Sequence, residues 1–366
     1  MNKTVAIVRA ASPCSRRLCS DLLSANTGPG LQFCKLEALS AALIRLPMNA
    51  LTQPSTVSLD ANATAALLPW TALADEIEAL LLQLQNSGGV TVPPRIVMPT
   101  AADNCLFCMP ATDGQVAMTK LISFTPGNAQ AGRPTIQGDI VVFDAATGER
   151  QLILDGPTVT ARRTAAVSLL AARRLAPRPE GALLIVGAGV QGSAHLQAFA
   201  QGLGTQEVWI HSRSAHSAQR LADQARDLGL QARIADDLEE AARHCPLIVT
   251  CTPAQAVVLH EAARPDAFVC AVGAFTPKMV ELAPALCQRF LREGQIVVDT
   301  EDALHEAGDL LQAGIDVSTL PTLATVVQHN WSRPTTPVLF KSCGWGGWDL
   351  AATRLARRQH QLSLLV

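Results

Sequence analysis

Four apolar residues, Leu183-Leu184-Ile185-Val186, run into Gly187-Ala188-Gly189-Val190-Gln191-Gly192, and a helical stretch opens at Ser193. Glycines are common, so the pattern alone is weak; set between a strand and a helix it becomes specific for a dinucleotide. Gly187 permits the tight turn, Gly189 admits a pyrophosphate to the backbone, and Gly192 lets helix and strand pack closely. The N–H groups that open the helix, around Val190 and Gln191, have no partner within it and suit an anion.

The surroundings agree. Apolar runs at 182–186, 207–211, 231–235, 247–251, 267–272 and 295–299 alternate with Ala-rich helical stretches. That predicts a parallel sheet covered on both faces, a doubly wound Rossmann-type α/β domain over 177–320. Upstream the period changes. Residues 61–68 read as a helix that Pro69 interrupts, and Trp70, Leu73, Ile77, Leu80, Leu81 and Leu84 recur at helical spacing. Runs at 95–98, 105–109, 118–124, 138–144 and 151–155, with Pro126-Gly127-Asn128 and Thr147-Gly148 as turns, predict a small, mostly antiparallel sheet. Pro157 and Thr158 open a helix to about 175, with Thr160 as candidate cap, and a last helix starting at Trp348 is expected to return here. A smaller α+β domain is thus expected over 58–176 with 321–366. Residues 1–57 keep no clear period. They read either as an acid-poor targeting segment or, preferably, as a poorly ordered extension with Met48 as the true start.

The second strand of the larger domain ends Trp209-Ile210-His211-Ser212-Arg213-Ser214. An acid there would bind the adenosine ribose hydroxyls of NAD; the Arg213 guanidinium with the Ser212 and Ser214 hydroxyls instead suits a 2′-phosphate. NADPH is the expected cofactor, and NADH the alternative if Arg213 is merely a solvated surface charge. Thr250 and Thr252, ending the fourth strand, are expected to line the crevice where such sheets bind ligands.

Composition removes other classes. Lys plus Arg is 29 against Asp plus Glu 31, a balance that draws the chain to neither nucleic acid nor anionic membrane. Every apolar stretch ends before the ~18 residues of a membrane span. Ten scattered cysteines fit a reducing cytoplasm, and the Cys105–Cys108 pair reads as strand thiols, not a redox or zinc site. The chain has no tyrosine, so no phenol can protonate a substrate. His195, His211, His244, His260 and His305 lack metal-ligand spacing and are expected at the surface or in caps.

Several separated segments share one further pattern: Pro93-Pro94-Arg95, the strand carrying Lys120, 138–144 with Thr147-Gly148, Thr160-Ala161-Arg162-Arg163-Thr164-Ala165-Ala166, the glycine loop, Ala271-Val272-Gly273, Val298-Asp299, Glu306-Ala307-Gly308-Asp309, and Lys341-Ser342-Cys343-Gly344 with Asp349. In order and spacing, from about 58 to the C-terminus, they resemble the ornithine cyclodeaminase/mu-crystallin family, nearest its Δ1-pyrroline-2-carboxylate/Δ1-piperideine-2-carboxylate (ketimine) reductase branch. The resemblance implies a homodimer built through the non-nucleotide domain, with substrate held between the domains. It puts Arg95, Lys120 and Arg163 at basic positions for substrate carboxylate and nicotinamide-side contacts. Independently, three cations from different segments suit an anionic 2-imino acid, although each alone reads more simply as a salt bridge.

One departure matters. Cyclodeaminases carry an Asp shortly after the Ala-Val-Gly strand, and here Phe275 stands in that place. A phenyl ring can wall an apolar pocket but cannot carry a proton; transfer of that role to another carboxylate such as Glu281 is the less favoured reading. The expected activity is NADPH-dependent reduction of a cyclic imino acid to L-proline or L-pipecolate. Within the family the alternatives are ornithine cyclodeamination and an alanine dehydrogenase-like reaction; of another class is a mu-crystallin-like, NADPH-dependent binder of small ligands.

Overall fold

The computed structural model describes residues 56–85, 89–253, 255–260 and 264–365; the expectations for residues 1–55 lie outside these. The described residues open with strand β1 (Val57–Ser58), which pairs in parallel with a strand nearly 100 residues on. Val57, the last residue of the segment read as an extension, therefore belongs to this sheet. Asp60 caps helix α1 (Ala61–Ala66) by accepting from the Ala63 N–H, and α2 (Trp70–Gln85) buries Trp70, Leu73, Ile77, Leu80 and Leu81, the face its spacing predicts.

Strands β2 (Ile96–Pro99), β3 (Cys105–Thr112), β4 (Val116–Phe124), β5 (Ile136–Asp144) and β6 (Arg150–Asp155) complete a six-stranded sheet in the order β1-β6-β5-β4-β3-β2. All its pairings except β1–β6 are antiparallel. Cys105 and Cys108 sit half-buried on β3 as free thiols; three residues apart on a strand, they point to opposite faces and cannot share a ligand. Helix α3 (Gly156–Leu175) follows without a loop. Its cap is Asp155, whose carboxylate takes the Thr158 N–H at 2.8 Å, so Thr160 lies inside the helix and is not the cap the sequence suggested.

The second sheet alternates strand and helix through β7 (Leu183–Val186), α4 (Val190–Leu203), β8 (Glu207–His211), α5 (Ala215–Asp227), β9 (Gln231–Ile234), α6 (Leu238–His244) and β10 (Leu247–Thr250). It continues through β11 (Gln255–Leu259), β12 (Phe268–Ala271), β13 (Val280–Leu282), α7 (Pro284–Glu293), β14 (Gln295–Val298), α8 (Ala303–Glu306), α9 (Gly308–Gln312), α10 (Leu323–Gln328) and β15 (Val338–Lys341). Seven of these strands form a parallel sheet ordered β14-β15-β12-β10-β7-β8-β9, while β11 and β13 pair separately. Two differences from the sequence reading stand out. The β11–β13 pair has no strong apolar alternation to announce it. And β15 inserts between β14 and β12 with all four residues buried, so 321–366 does not return whole to the first domain; α11 (Gly346–Ser363) does, packing on α2, α3 and β4.

Alternation along the parallel strands sorts the core. Leu183, Ile185, Leu247, Val249, Phe268 and Cys270 join a cluster that runs through Leu169 and Leu170 of α3 to Leu73 and Ile77 of α2. Leu184, Val186, Ile248 and Val269 face the other layer, beneath Leu286 and Phe290 of α7. Helix α3 is thus shared by both halves, and each fully buried Leu or Ile there contributes about 1.5–3 kcal/mol. The order of the parallel sheet turns at β7, with β8 on one side and β10 on the other, and such a switch point opens a crevice at the strand C-termini.

Candidate functional site

The crevice is a groove of about 800 Å³ over the glycine loop. Gly187 has φ +116°, and a Cβ there would lie 2.7 Å from Cys251 O; a Cβ on Gly192 would meet Gly187 O at 2.2 Å. Both glycines are required by packing. A Cβ on Gly189 would meet nothing within 4 Å, so its backbone faces the open groove, as a pyrophosphate requires. Gly189, Val190 and Gln191 line the groove, whereas Gly192 lies below it. Where the groove reaches the first domain, Thr160 Oγ1 and Gln191 Oε1 are buried with no hydrogen-bond partner among the described residues. Buried polar atoms are normally paired, and these two are placed for a polar ligand. The residues fit a nicotinamide dinucleotide.

At the far end the loop after β8 brings Ser212, Arg213 and Ser214 to the groove, as expected, and α5 adds Ser217 and Arg220. The Ser214 hydroxyl oxygen caps α5 by accepting from the Ser217 N–H at 3.2 Å. Arg213 and Arg220 are exposed, and neither has a carboxylate partner among the described residues. Thr250 is a correction. It is the last residue of β10, its side chain is buried, and its hydroxyl donates to Glu281 Oε2 at 3.0 Å, so it does not line the groove. Thr252, two residues on, does.

A second cavity of about 220 Å³ shares Ile136, Thr160, Gln191, Cys251 and Thr252 with the groove. Its walls are apolar, with Met109 and Ile122 among them, and Phe124 and Phe275 meet edge to face at 6.5 Å. Phe275 walls the pocket, as its chemistry suggested. Glu281 does not enter: it sits behind the Thr252 and Gly273 backbone with both oxygens occupied by donors.

The pocket also brings the three expected cations together. On β4 the inward row is Val116, Met118, Lys120 and Ile122, so strand alternation drives a lysine into the core. Its partner is Asp349 of α11, whose Oδ2 accepts from Lys120 Nζ at 2.7 Å while Oδ1 lies 3.3 Å from Arg163 Nε. Burial pulls the Lys120 pKa down to about 8; Asp349 opposes this, and the charges of Arg163 and Arg95 add to it. Arg95 Nη2 donates to Glu306 Oε2 at 2.5 Å and to Gly344 O at 2.9 Å. A Cβ on Gly344, which has φ +90°, would lie 3.1 Å from Arg163 Nη1, so that glycine lets both guanidinium groups close on one point. Burial raises the Glu306 carboxyl to about 7, Arg95 opposing and Asp299 and Asp302 adding. Arg95, Lys120 and Arg163 are paired here with Glu306 and Asp349, and burial favours the neutral form of Glu306, so the site suits an anion.

His195 is a second correction. It is fully buried, with Nδ1 2.7 Å from Gln191 O and Nε2 2.9 Å from Ser168 Oγ. Burial pulls its pKa to about 4, so it is a neutral tie between α4 and α3, not a surface group. Among the described residues no cluster of His, Cys, Asp or Glu could hold a metal ion, and no helix is long and apolar enough to cross a membrane. Sequence reasoning gave no role to Asp349 or Arg220. An acid on the buried face of an apolar helix was the signal for the first; Arg220 needs the fold to bring α5 over the groove.

With this geometry in place, comparison with known proteins is direct. A Δ1-pyrroline-2-carboxylate reductase of Burkholderia multivorans is 36% identical over 304 residues, 82% of this chain and 95% of the relative. A Δ1-pyrroline-2-carboxylate/Δ1-piperideine-2-carboxylate reductase of Azospirillum brasilense is 36% identical over 301 residues, 81% and 94% of the two chains. Among solved structures, the Δ1-pyrroline-2-carboxylate reductase of Thermococcus litoralis in complex with NADH and L-proline superposes with a TM-score of 0.78 at 24% identity, covering 84% of this chain and 98% of that one. Residues 56–361 match the ornithine cyclodeaminase/mu-crystallin family, and the chain belongs to it.

Proposed function

We propose that this protein reduces Δ1-pyrroline-2-carboxylate and Δ1-piperideine-2-carboxylate to L-proline and L-pipecolate with NADPH. The observation that carries the reading is the Lys120–Asp349–Arg163 cluster beside a small, largely apolar pocket that shares Ile136, Thr160, Gln191, Cys251 and Thr252 with the dinucleotide groove. The names of the relatives 36% identical over most of the chain point to the same substrates.

Gly187, Gly189, Val190, Gln191 and Thr252 would hold the nicotinamide dinucleotide, with Gly192 beneath them packing helix against strand, and Ser212, Arg213, Ser214 and Arg220 would hold its 2′-phosphate. When bound, the reduced nicotinamide supplies a hydride to the imine carbon. The protein's own task is then alignment and charge. Arg163 and Arg95 clamp the substrate carboxylate, a bidentate role that suits guanidinium. Lys120 Nζ, held by Asp349, orients the imine nitrogen and gives a neutral imine its proton, a role that a pKa near the working pH favours. Phe124 and Phe275 enclose the ring, and the Phe275 phenyl has no group to manage a side-chain amine. A homodimer is part of the reading, and the exposed Ile96 and Met98 of β2, with Leu121 of β4 on the same side of the sheet, offer it an apolar face.

The test follows NADPH absorbance, with NADH in parallel, as the five- and six-membered cyclic imines and, separately, ornithine are added. NADPH consumption with the imines is the expected result. Proline and ammonia from ornithine without net NADPH loss would overturn the proposal and make the protein a cyclodeaminase.

A further inference from the structure

The mechanism above uses Lys120, Arg163, Arg95 and Asp349 and leaves a second buried ionic group unexplained. Glu281 of β13, Asp309 of α9 and Lys341 of β15 are each fully or almost fully buried behind the crevice. Asp309 Oδ2 is 2.8 Å from Lys341 Nζ, and its Oδ1 accepts from the backbone N–H groups of Glu281 at 2.6 Å and Leu282 at 2.9 Å. Three elements therefore fix where Glu281 stands.

Its carboxylate then straps two loops that end separate strands of the parallel sheet. Oε1 accepts from the Thr252 N–H at 2.6 Å and the Thr252 hydroxyl at 2.9 Å; Oε2 accepts from the Gly273 N–H at 2.7 Å and the Thr250 hydroxyl at 3.0 Å. The fit is tight, since a Cβ on Gly273 would lie 2.4 Å from Oε1 and 2.3 Å from Thr252 O. Thr252 lines both the groove and the pocket, and Gly273 lines the pocket. We propose that Glu281 is a positioning residue, which sets the spacing of the Thr252 and Gly273 backbones and so the alignment of the nicotinamide ring against the imine. This rests on the reductase reading for its catalytic consequence, and on geometry alone for the strap.

The substitution Glu281→Gln keeps the shape but turns an amide N–H₂ toward Thr252 N–H or Gly273 N–H, neither of which can accept. One backbone donor then loses its carboxylate partner in a buried site. A lost charged hydrogen bond of this kind corresponds to about 10- to 100-fold in an opening equilibrium. Hydrogen exchange on the full chain without nucleotide should therefore quicken about tenfold or more at the Thr252 and Gly273 amides, and stay unchanged at Val249 and Val269 inside the sheet. NADPH affinity, read by tryptophan fluorescence, should change little, because the pyrophosphate and adenosine contacts lie elsewhere. Turnover of the cyclic imine should fall about 10- to 100-fold, with a larger isotope effect from deuterated NADPH, as misalignment predicts.

Thr250→Val, which removes one donor to Oε2 without touching either cavity, should move the same readouts in the same direction by less, and serves if the Gln variant does not fold. Unchanged exchange at the two amides overturns the proposal, whatever happens to turnover, and so does acceleration spread equally through the sheet. If the wild type ignores the imines, the function reading falls while the exchange result still decides the strap.

Discussion

Replacing Asp349 by Asn removes one charge from the most buried part of the site and keeps its shape. In the native protein Lys120 Nζ and Asp349 Oδ2 are 2.7 Å apart, both fully buried, and Asp349 is what holds the Lys120 pKa as high as about 8 against burial and two arginines. Two unit charges about 4 Å apart at an effective dielectric constant of about 20 interact by about 4 kcal/mol. That is about 3 pK units at about 1.4 kcal/mol each. Local relaxation and the retained Asn carbonyl reduce it, so the expected displacement is about one unit or more, to a pKa of about 7 or below. If charged Lys120 is the active form, kcat/KM for the cyclic imine falls as pH rises through that pKa. The alkaline limb should then move from near 8 in the wild type toward 7 or lower in the variant, with the acid side little changed. A folding readout runs alongside. The pKa of Lys120 in the folded variant lies further below its ordinary value of 10.5, so the unfolded chain holds the proton over a wider range, and the variant gains stability as pH rises through that range. An alkaline limb at the same pH in both proteins would refute both the pairing and the assignment of that limb to Lys120.

Other outcomes follow from single observations. Replacing both Arg213 and Arg220 by Ala should raise the Kd for NADPH about 10- to 100-fold and leave NADH nearly unaffected, with the difference shrinking at high salt because both side chains are exposed; equal losses for the two nucleotides would remove the 2′-phosphate assignment. His195 has a folded pKa of about 4 against an ordinary 6.5, so the unfolded state takes a proton first. Stability should fall by about 3 kcal/mol as pH drops from 6.5 to 4, and denaturant titrations of His195→Gln should lack that part of the slope. Glu306 titrates near 7 and when ionised competes with substrate for Arg95. Glu306→Gln should lower KM severalfold at pH 8 and flatten its dependence between pH 6 and 8; a KM that still rises across that range assigns it to another group. Phe275→Ala should raise KM about 5- to 30-fold, more for the five- than the six-membered ring, since about 1–2 kcal/mol of ring contact is lost and the wall recedes; equal effects on both rings would separate Phe275 from ring selection.

What the sequence discloses here depends on whether a signal is periodic. The glycine loop, the inner face of α2 and the alternating strands around Lys120 repeat at fixed spacing, and all lie where that spacing puts them. Asp155 and Thr160 show the limit of a local rule: both are cap-type residues near the start of α3, and only the extended backbone at Asp155 decides which one reaches Thr158 N–H. Val338-Leu339-Phe340-Lys341 fails for a different reason. Four apolar-rich residues carry too little periodicity to be told from a core helix turn, and their place between β14 and β12 is settled by partners more than 40 residues away. The site divides the same way. Lys120, Arg163 and Arg95 stand out by type, but the residues that set their behaviour, Asp349 and Glu306, come from helices far along the chain, and no spacing rule links position 120 to position 349. An acid at Asp349, between Trp348 and Leu350 on a face that packs inward, is the one local hint, because a buried charge must find its opposite. Candidate groups for chemistry are therefore legible in this sequence, whereas their pKa values, which decide what those groups do, belong to the fold.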